Sequence, residues 1–238
     1  MKWTELYTVD SHGVDFNGVA RTSTLMHFMQ ECACAHITAC GSSAKALRAS
    51  GRAFLLSRFS AGFYEAVKPY TTLAVETWAC ESRGFSFNRC YRVLNGERVV
   101  AEASSVWALV DIESRRPIRV SDFETDLGCD KMLTLELPTR ICSPKTECMR
   151  LRDEHTVSYR ELDENLHMNN TYYSDMLCDT LDMRGKRIYK MSINFLNEAK
   201  HHDCLNIYAC EQKEDLFFKS IRSDGKINIE AQITLGEI

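Results

Sequence analysis

The segment Leu162–Tyr173, L-D-E-N-L-H-M-N-N-T-Y-Y, sets Asp163, Asn165, His167, Asn169 and Asn170 within eight positions. An imidazole titrates near neutrality, an amide donates hydrogen bonds, and a carboxylate orients either of them. Together they are the parts needed to direct water at a carbonyl carbon. The same residues also suit a structural loop whose asparagines cap the aromatic, helix-like stretch that follows.

A degenerate copy of this segment lies near the N-terminus as V-D-F-N-G-V-A-R, Val14–Arg21. Asp15 aligns with Asp163 (163 − 15 = 148) and Asn17 with Asn165, and Val19 stands where the second copy has His167. Helical periodicity follows each copy, through Leu25, Phe28, Met29, Cys32 and His36 and through Tyr172, Tyr173, Met176, Leu177 and Leu181. Further echoes come in the same order: Glu65-Ala66 with Glu198-Ala199, Leu73-Ala74-Val75 with Leu205-Asn206-Ile207, and Trp78-Ala79-Cys80-Glu81 with Tyr208-Ala209-Cys210-Glu211. Asn95-Gly96 echoes Asp224-Gly225, and Glu102-Ala103 echoes Glu230-Ala231. The chain therefore reads as a tandem duplication. Lacking a histidine partner, Asp15 and Asn17 read as structural remnants.

The elements that must position these residues follow from periodicity. Each copy reads as a first extended segment, the D-x-N loop, a helix, and then a run of strands. In the first copy the helix spans Thr24–Ala39 and the strands are Phe54–Phe63, Thr72–Glu81, Phe85–Leu94 and Arg98–Asp111. In the second the strands are Tyr189–Asn197, Cys204–Glu211, Phe217–Arg222 and Lys226–Leu235. Asn95-Gly96 and Asp224-Gly225 mark tight hairpins. A helix with one apolar face, followed by an antiparallel meander, buries that face against a curled sheet. The expected division is 1–125, a linker over 126–150 in which 132–137 reads as extended, and 151–238.

The 238 residues are enough for two cores, and 45% hydrophobic with 26% charged residues is a globular composition. No apolar run is long enough to span a bilayer, so no membrane insertion is expected. The N-terminal M-K-W-T-E-L-Y lacks the apolar core of a secretory signal, which points to the cytoplasm. Eleven cysteines in that setting read as free thiols, and Cys32, Cys34 and Cys40 as packing residues. No metal site is expected, since C-x-C without a second ligand pair is a weak signal. A net charge of −4 argues against a nucleic-acid partner.

At this point the residues resemble a known family. D-E-N-L-H-M-N-N-T-Y-Y resembles the D-x-N-x-H-x-N-N-aromatic motif of the bacterial acyl-acyl-carrier-protein thioesterases, relatives of the plant fatty-acyl thioesterases. Asn194–Ala199, N-F-L-N-E-A, resembles the family's later strand ending in a catalytic glutamate. Ser105–Asp111 with Arg115–Arg119 resembles its Trp-bearing strand and basic turn, and Ala53–Arg58 the strand after its first helix. The resemblance implies an α+β fold of two tandem hot-dog domains, each an antiparallel sheet wrapped around one long helix. It implies hydrolysis of fatty acyl-acyl-carrier-protein thioesters without a cofactor, with Asp163, Asn165, His167 and Glu198 as the site. Glu198 is then the candidate base, directly or through His167, and the assignment between the two stays open. Asp163 orients, Asn165 donates, and backbone amides near Asn169 and Asn170 are candidates to face the oxyanion. Ala199 follows Glu198 where plant relatives often carry cysteine, which excludes a cysteine nucleophile there.

The first half then has acyl-chain selection as its task, with Met26, Phe28 and Met29 on its helix as candidate lining residues; ordinary core packing is the alternative. Arg83, Arg89, Arg92 and Arg98, with Arg115, Arg116 and Arg119 beyond, could steer an acidic carrier protein. A coenzyme A thioesterase, a dehydratase of hydroxyacyl thioesters, and a non-catalytic acyl-thioester sensor are the competing readings. Two hot dogs in one chain already mimic the usual hot-dog dimer, so a homodimer stays open.

Overall fold

The computed structural model describes residues 2–131, 133, 141 and 143–238. The extended reading of 132–137 therefore falls outside the described residues, apart from Leu133. The first half contains β1 (Trp3–Thr8), α1 (Thr22–Ala39), α2 (Ala44–Ala49), β2 (Arg52–Phe63), β3 (Thr72–Ala79), β4 (Phe87–Asn95), β5 (Arg98–Asp111) and the short β6 (Pro117–Ile118). The second contains β7 (Arg150–Thr156), α3 (Tyr172–Cys178), β8 (Lys186–Phe195), β9 (Cys204–Gln212), β10 (Asp215–Arg222) and β11 (Ile227–Glu237).

The strands form one sheet in the order β1-β3-β4-β5-β2-β8-β11-β10-β9-β7, with β6 on β5. Each half is an antiparallel sheet curled over its helix, and the two orders mirror each other across the β2–β8 seam. There Ser60 pairs with Ser192, and their hydroxyls lie 2.8 Å apart. A pseudo-twofold axis thus runs between two residues 132 apart (192 − 60 = 132).

Alternation explains why these strands lie where they do. In β3 the inward residues Leu73, Val75 and Thr77 are fully buried while Glu76 faces outward. Gly96, at φ 61, turns β4 into β5 with Asn95 opposite Arg98. On α1 the buried Leu25, Met26, Met29, Cys32 and His36 recur at helical spacing. Leu25, Met26, Met29 and Cys32 share one apolar cluster with Met176, Leu177, Met191, Ile193 and Phe218 of the second half. The halves are therefore joined by continuous core as well as by the seam. At about 1.5–3 kcal/mol for each large side chain buried, this shared cluster adds to the hydrogen bonds of the seam in holding them together.

The second helix departs from expectation in length. α3 has 7 residues against 18 in α1, and α2 has no counterpart. The offset between copies is 148 before the helix and 132 after it, so sixteen residues are missing in between (148 − 132 = 16). Thr180 Oγ1 bonds the Leu177 carbonyl, capturing an acceptor at the helix end, and Gly185 at φ 68 leads directly into β8.

Candidate active site

The D-x-N loop is built the same way in both halves. Asp163 Oδ1 accepts from the backbone N–H of Asn165 (2.8 Å) and of His167 (3.1 Å). Asp15 Oδ1 accepts from those of Asn17 (2.8 Å) and Val19 (3.4 Å). The Asp163 amide bonds the His167 carbonyl, as Asp15 bonds Val19. Each loop needs one residue at positive φ: Gly18 at 70° in the first and Leu166 at 62° in the second. A leucine strained in this region and 70% exposed, directly before His167, is the kind of backbone cost that collects at functional sites.

The two copies differ at the positions expected to react. His167 Nε2 lies 3.5 Å from Glu198 Oε2, and both side chains are partly exposed. Met168 N–H bonds the Ala199 carbonyl, and its counterpart Ala20 N–H bonds Val67. Leu196 and Asn197 amides bond Asn228, and Tyr64 and Glu65 amides bond Val100 in the same way. The structural partner of Glu198 is therefore Ala66. The pairing of Glu65 with Glu198 read from sequence is off by one residue, and that of Trp78 is off by two, since Trp78 corresponds to Cys210 by strand register. A repeated Glu-Ala dipeptide imitated homology where the backbone hydrogen bonds set a different register. The first copy thus offers Val19 and Ala66 where the second has His167 and Glu198.

Sequence reasoning missed the groups that hold this site. Arg48, on α2 of the first half, donates from Nη2 to Asn165 Oδ1 (2.6 Å) and Glu164 Oε1 (2.8 Å). Its cue was Ser43 ahead of A-K-A-L-R-A, a capped helical turn in which Ser43 Oγ accepts from Ala46 N. Asn165 Nδ2 donates to Asp163 Oδ2 at 3.1 Å. With its oxygen held by Arg48 and one N–H by Asp163, the amide is fixed against flipping, and its second N–H is left without an acceptor among the described residues. Lys200 Nζ lies 3.6 Å from Glu198 Oε1, and Arg222 Nη1 donates to the Glu198 carbonyl at 2.6 Å. Arg222 also pairs with Asp203 and Asp224, tying down the turn after β8.

Asn169 acts as a cap: its Oδ1 accepts from Thr171 N and Thr171 Oγ1, each at 3.0 Å. The Asn170 amide has no hydrogen-bond acceptor among the described residues and stands beside a cavity, so it remains available as a donor to an oxyanion.

That cavity, about 240 Å³, opens between the two halves' contributions. Asp163, Glu164, Asn165, Asn169 and Asn170 border it from the second half. The first half supplies Gln30, Ala33, Cys34 and Ile37 of α1, Leu47 and Arg48 of α2, and Phe54, Phe87, Arg89 and Trp107 from the sheet. Met26 and Met29 instead lie buried in the core on another face of α1, and Phe28 stacks on Tyr7 with ring centres 4.9 Å apart. α1 borders the cavity through residues one to two turns beyond the expected Met26, Phe28 and Met29.

Of the arginines near the first hairpin, Arg83 pairs with Glu81, Arg92 with Glu102 and Arg98 with Glu65, and Arg89 is buried. Arg115, Arg116 and Arg119 are exposed and have no carboxylate within ion-pair distance among the described residues.

The chain and its fold have counterparts among known proteins. A family model for the acyl-ACP thioesterase N-terminal domain matches residues 1–126, and one for the acyl-ACP thioesterase C-terminal domain matches residues 145–237. The oleoyl-acyl carrier protein thioesterase 2, chloroplastic, of Arabidopsis thaliana is 26% identical over 199 residues, covering 75% of this chain and 54% of its own length. The chain thus spans about half the length of that relative. An acyl-ACP thioesterase from Bacteroides thetaiotaomicron superposes with a TM-score of 0.90 at 21% identity, covering 99% of this chain and 98% of that one. The 12:0-ACP thioesterase from Umbellularia californica does so with a TM-score of 0.77 at 14% identity, covering 100% and 98%. Both share the tandem hot-dog fold expected above. Among the described residues, no helix is long and apolar enough to cross a membrane.

Proposed function

Because the chain belongs to the acyl-acyl-carrier-protein thioesterase family, we propose that it hydrolyses the thioester of a fatty acyl-carrier protein, releasing free fatty acid and the carrier thiol. The observation that carries this is the His167–Glu198 pair at 3.5 Å beside the Asp163–Asn165 loop, with Val19 and Ala66 at the same places in the first half. Water attacks the thioester carbonyl while Glu198, directly or through His167, removes its proton. The C–S bond then breaks, and the proton held by the pair passes to the leaving sulfur. The Asn165 amide, fixed by Arg48 and Asp163, and the Asn170 N–H are the donors nearest the developing oxyanion. The second half is thus the catalytic domain, and the first, which supplies most of the cavity wall, selects the acyl chain. The exposed Arg115, Arg116 and Arg119 meet the acidic carrier protein, and the reaction takes place in the cytoplasm.

The test is a panel of acyl-carrier-protein and coenzyme A esters, reading free thiol and free acid. Glu198→Gln and His167→Ala should each lower turnover by roughly a hundredfold or more. A folded Glu198→Gln protein with wild-type turnover would remove that residue from the mechanism. Equal turnover of carrier-protein and coenzyme A esters would remove the carrier protein as the favoured handle.

A further inference from the structure

One charged group in the cavity wall has no use in the chemistry above. Arg89 on β4 is only 7% exposed, and it lines the cavity. Its Nη1 lies 3.0 Å from His36 Nδ1 and 3.0 Å from Thr77 Oγ1. No carboxylate lies within ion-pair distance of it among the described residues, and its Nε and Nη2 have no protein acceptor there. Burial and the neighbouring guanidinium push His36 down to about 4, so its ring is neutral at pH 7 and accepts at Nδ1. It therefore does not cancel the arginine's charge. A buried guanidinium without a counter-charge is costly unless something in the cavity supplies acceptors. A saturated alkyl chain has none and would leave these donors desolvated and unpaired.

We propose that Arg89 makes the cavity selective for acyl groups that carry an oxygen acceptor on the chain, such as hydroxy-, oxo- or carboxy-acyl thioesters, over saturated chains of equal length. This rests on the thioesterase reading and deepens it. Arg89 is a specificity residue: its Nε and Nη2 donate to the chain oxygen while His36 and Thr77 hold Nη1 in place. Of the neighbouring polar positions, Gln30 and Arg52 also border the cavity but are only half-buried, whereas Arg89 is buried. Asn88 Nδ2 is bound to the Glu81 carbonyl and Ser82 Oγ to the Cys80 carbonyl, so both serve the local turn.

The experiment compares carrier-protein esters of one chain length bearing no substituent, a 3-hydroxyl, a 3-oxo group or a terminal carboxyl. At least one oxygenated ester should exceed the saturated one by about tenfold or more in kcat/KM, the scale of a hydrogen bond to a charged donor. Arg89→Met should abolish that advantage, bringing the oxygenated and saturated esters to equal kcat/KM, and Arg89→Lys should keep part of it. In parallel, the corresponding free acids are tested as ligands of the unaltered protein by thermal shift, which needs neither turnover nor a folded variant. Oxygenated acids should bind more tightly than saturated ones. Equal kcat/KM and equal binding across the set, or an Arg89→Met effect that is the same for every ester, would overturn the proposal and leave Arg89 as a strut for His36. If no ester is hydrolysed, the thioesterase reading fails by itself, and the binding comparison still decides whether the cavity prefers oxygen.

Discussion

Arg48 of the first half donates a 2.6 Å hydrogen bond to Asn165 Oδ1 of the second. The Asp163–Asn165 loop and the first half are therefore linked directly, at the residue whose amide is proposed to face the substrate. Arg48→Ala should lower kcat by about tenfold, because the amide regains its freedom to flip and an oxyanion donor is lost part of the time. Arg48→Lys supplies one donor without the guanidinium fork and should restore part of the loss. Unchanged kcat for Arg48→Ala with a raised KM would show that Arg48 serves binding alone.

Asn17 occupies the place of Asn165 but is spent on structure. Its Nδ2 donates to the Met183 carbonyl (2.8 Å) and the Lys186 carbonyl (3.2 Å), and its Oδ1 accepts from Gly185 N–H (3.1 Å). Asn17→Ala should cost about 1–3 kcal/mol of stability, the usual result of stranding hydrogen-bonded groups. Turnover of the folded fraction should stay within a few-fold, since Val19 and Ala66 leave this loop without an acid–base pair. Denaturant unfolding together with kcat per folded molecule separates the two effects. Loss of chemistry at unchanged stability would place a second reacting centre in the first half.

His36 sets an acid limit on stability. It is 3% exposed, its ring is stacked on Trp3, and burial and Arg89 hold its pKa at about 4 against 6.5 in the unfolded chain. A depressed folded value means that the stabilisation is complete above 6.5 and is lost as pH falls through about 4. Across that window the folded state should lose about 1 kcal/mol per pH unit from this group. His36→Gln keeps an acceptor for Arg89 and cannot titrate, so its unfolding free energy should vary less with pH between 6.5 and 4. Parallel curves for the two proteins would show that His36 is not the group responsible.

The loop and the meander were legible in the sequence because both are written in local chemistry. Asp-x-Asn turns satisfy their own backbone, alternation marks a half-buried strand, and Gly96 and Gly225 supply the positive φ that a hairpin needs. The strand starts expected at Arg98 and Cys204 coincide with those observed. Register across the duplication was less legible. It depends on which backbone amide meets which carbonyl, and a shared Glu-Ala dipeptide carries no record of that. The role of Arg48 was hidden for a similar reason, because α2 is a six-residue helix that acts on a loop 117 positions away. Which residues of α1 face the cavity was beyond reach of periodicity. A helix covered by sheet on one side and cavity on another shows apolar residues on both.

That last distinction gives the sharpest test of chain-length selection. Ile37 and Ala33 of α1 line the cavity, whereas Met26 and Met29 lie in the core. An acyl chain gains about 0.8 kcal/mol per buried methylene, so filling the cavity by a few methyl groups should shift the preferred substrate by one or two carbons. Ala33→Leu should shorten the preferred acyl group and Ile37→Ala should lengthen it, each seen as a changed ratio of kcat/KM across chain lengths. Met29→Ala should instead cost about 2–5 kcal/mol of stability through a core void and leave the profile of the folded protein alone. If Met29→Ala moves the profile while Ala33→Leu does not, the acyl chain threads through the core side of α1, and the cavity between α1, α2 and the Asp163–Asn165 loop holds some other part of the substrate.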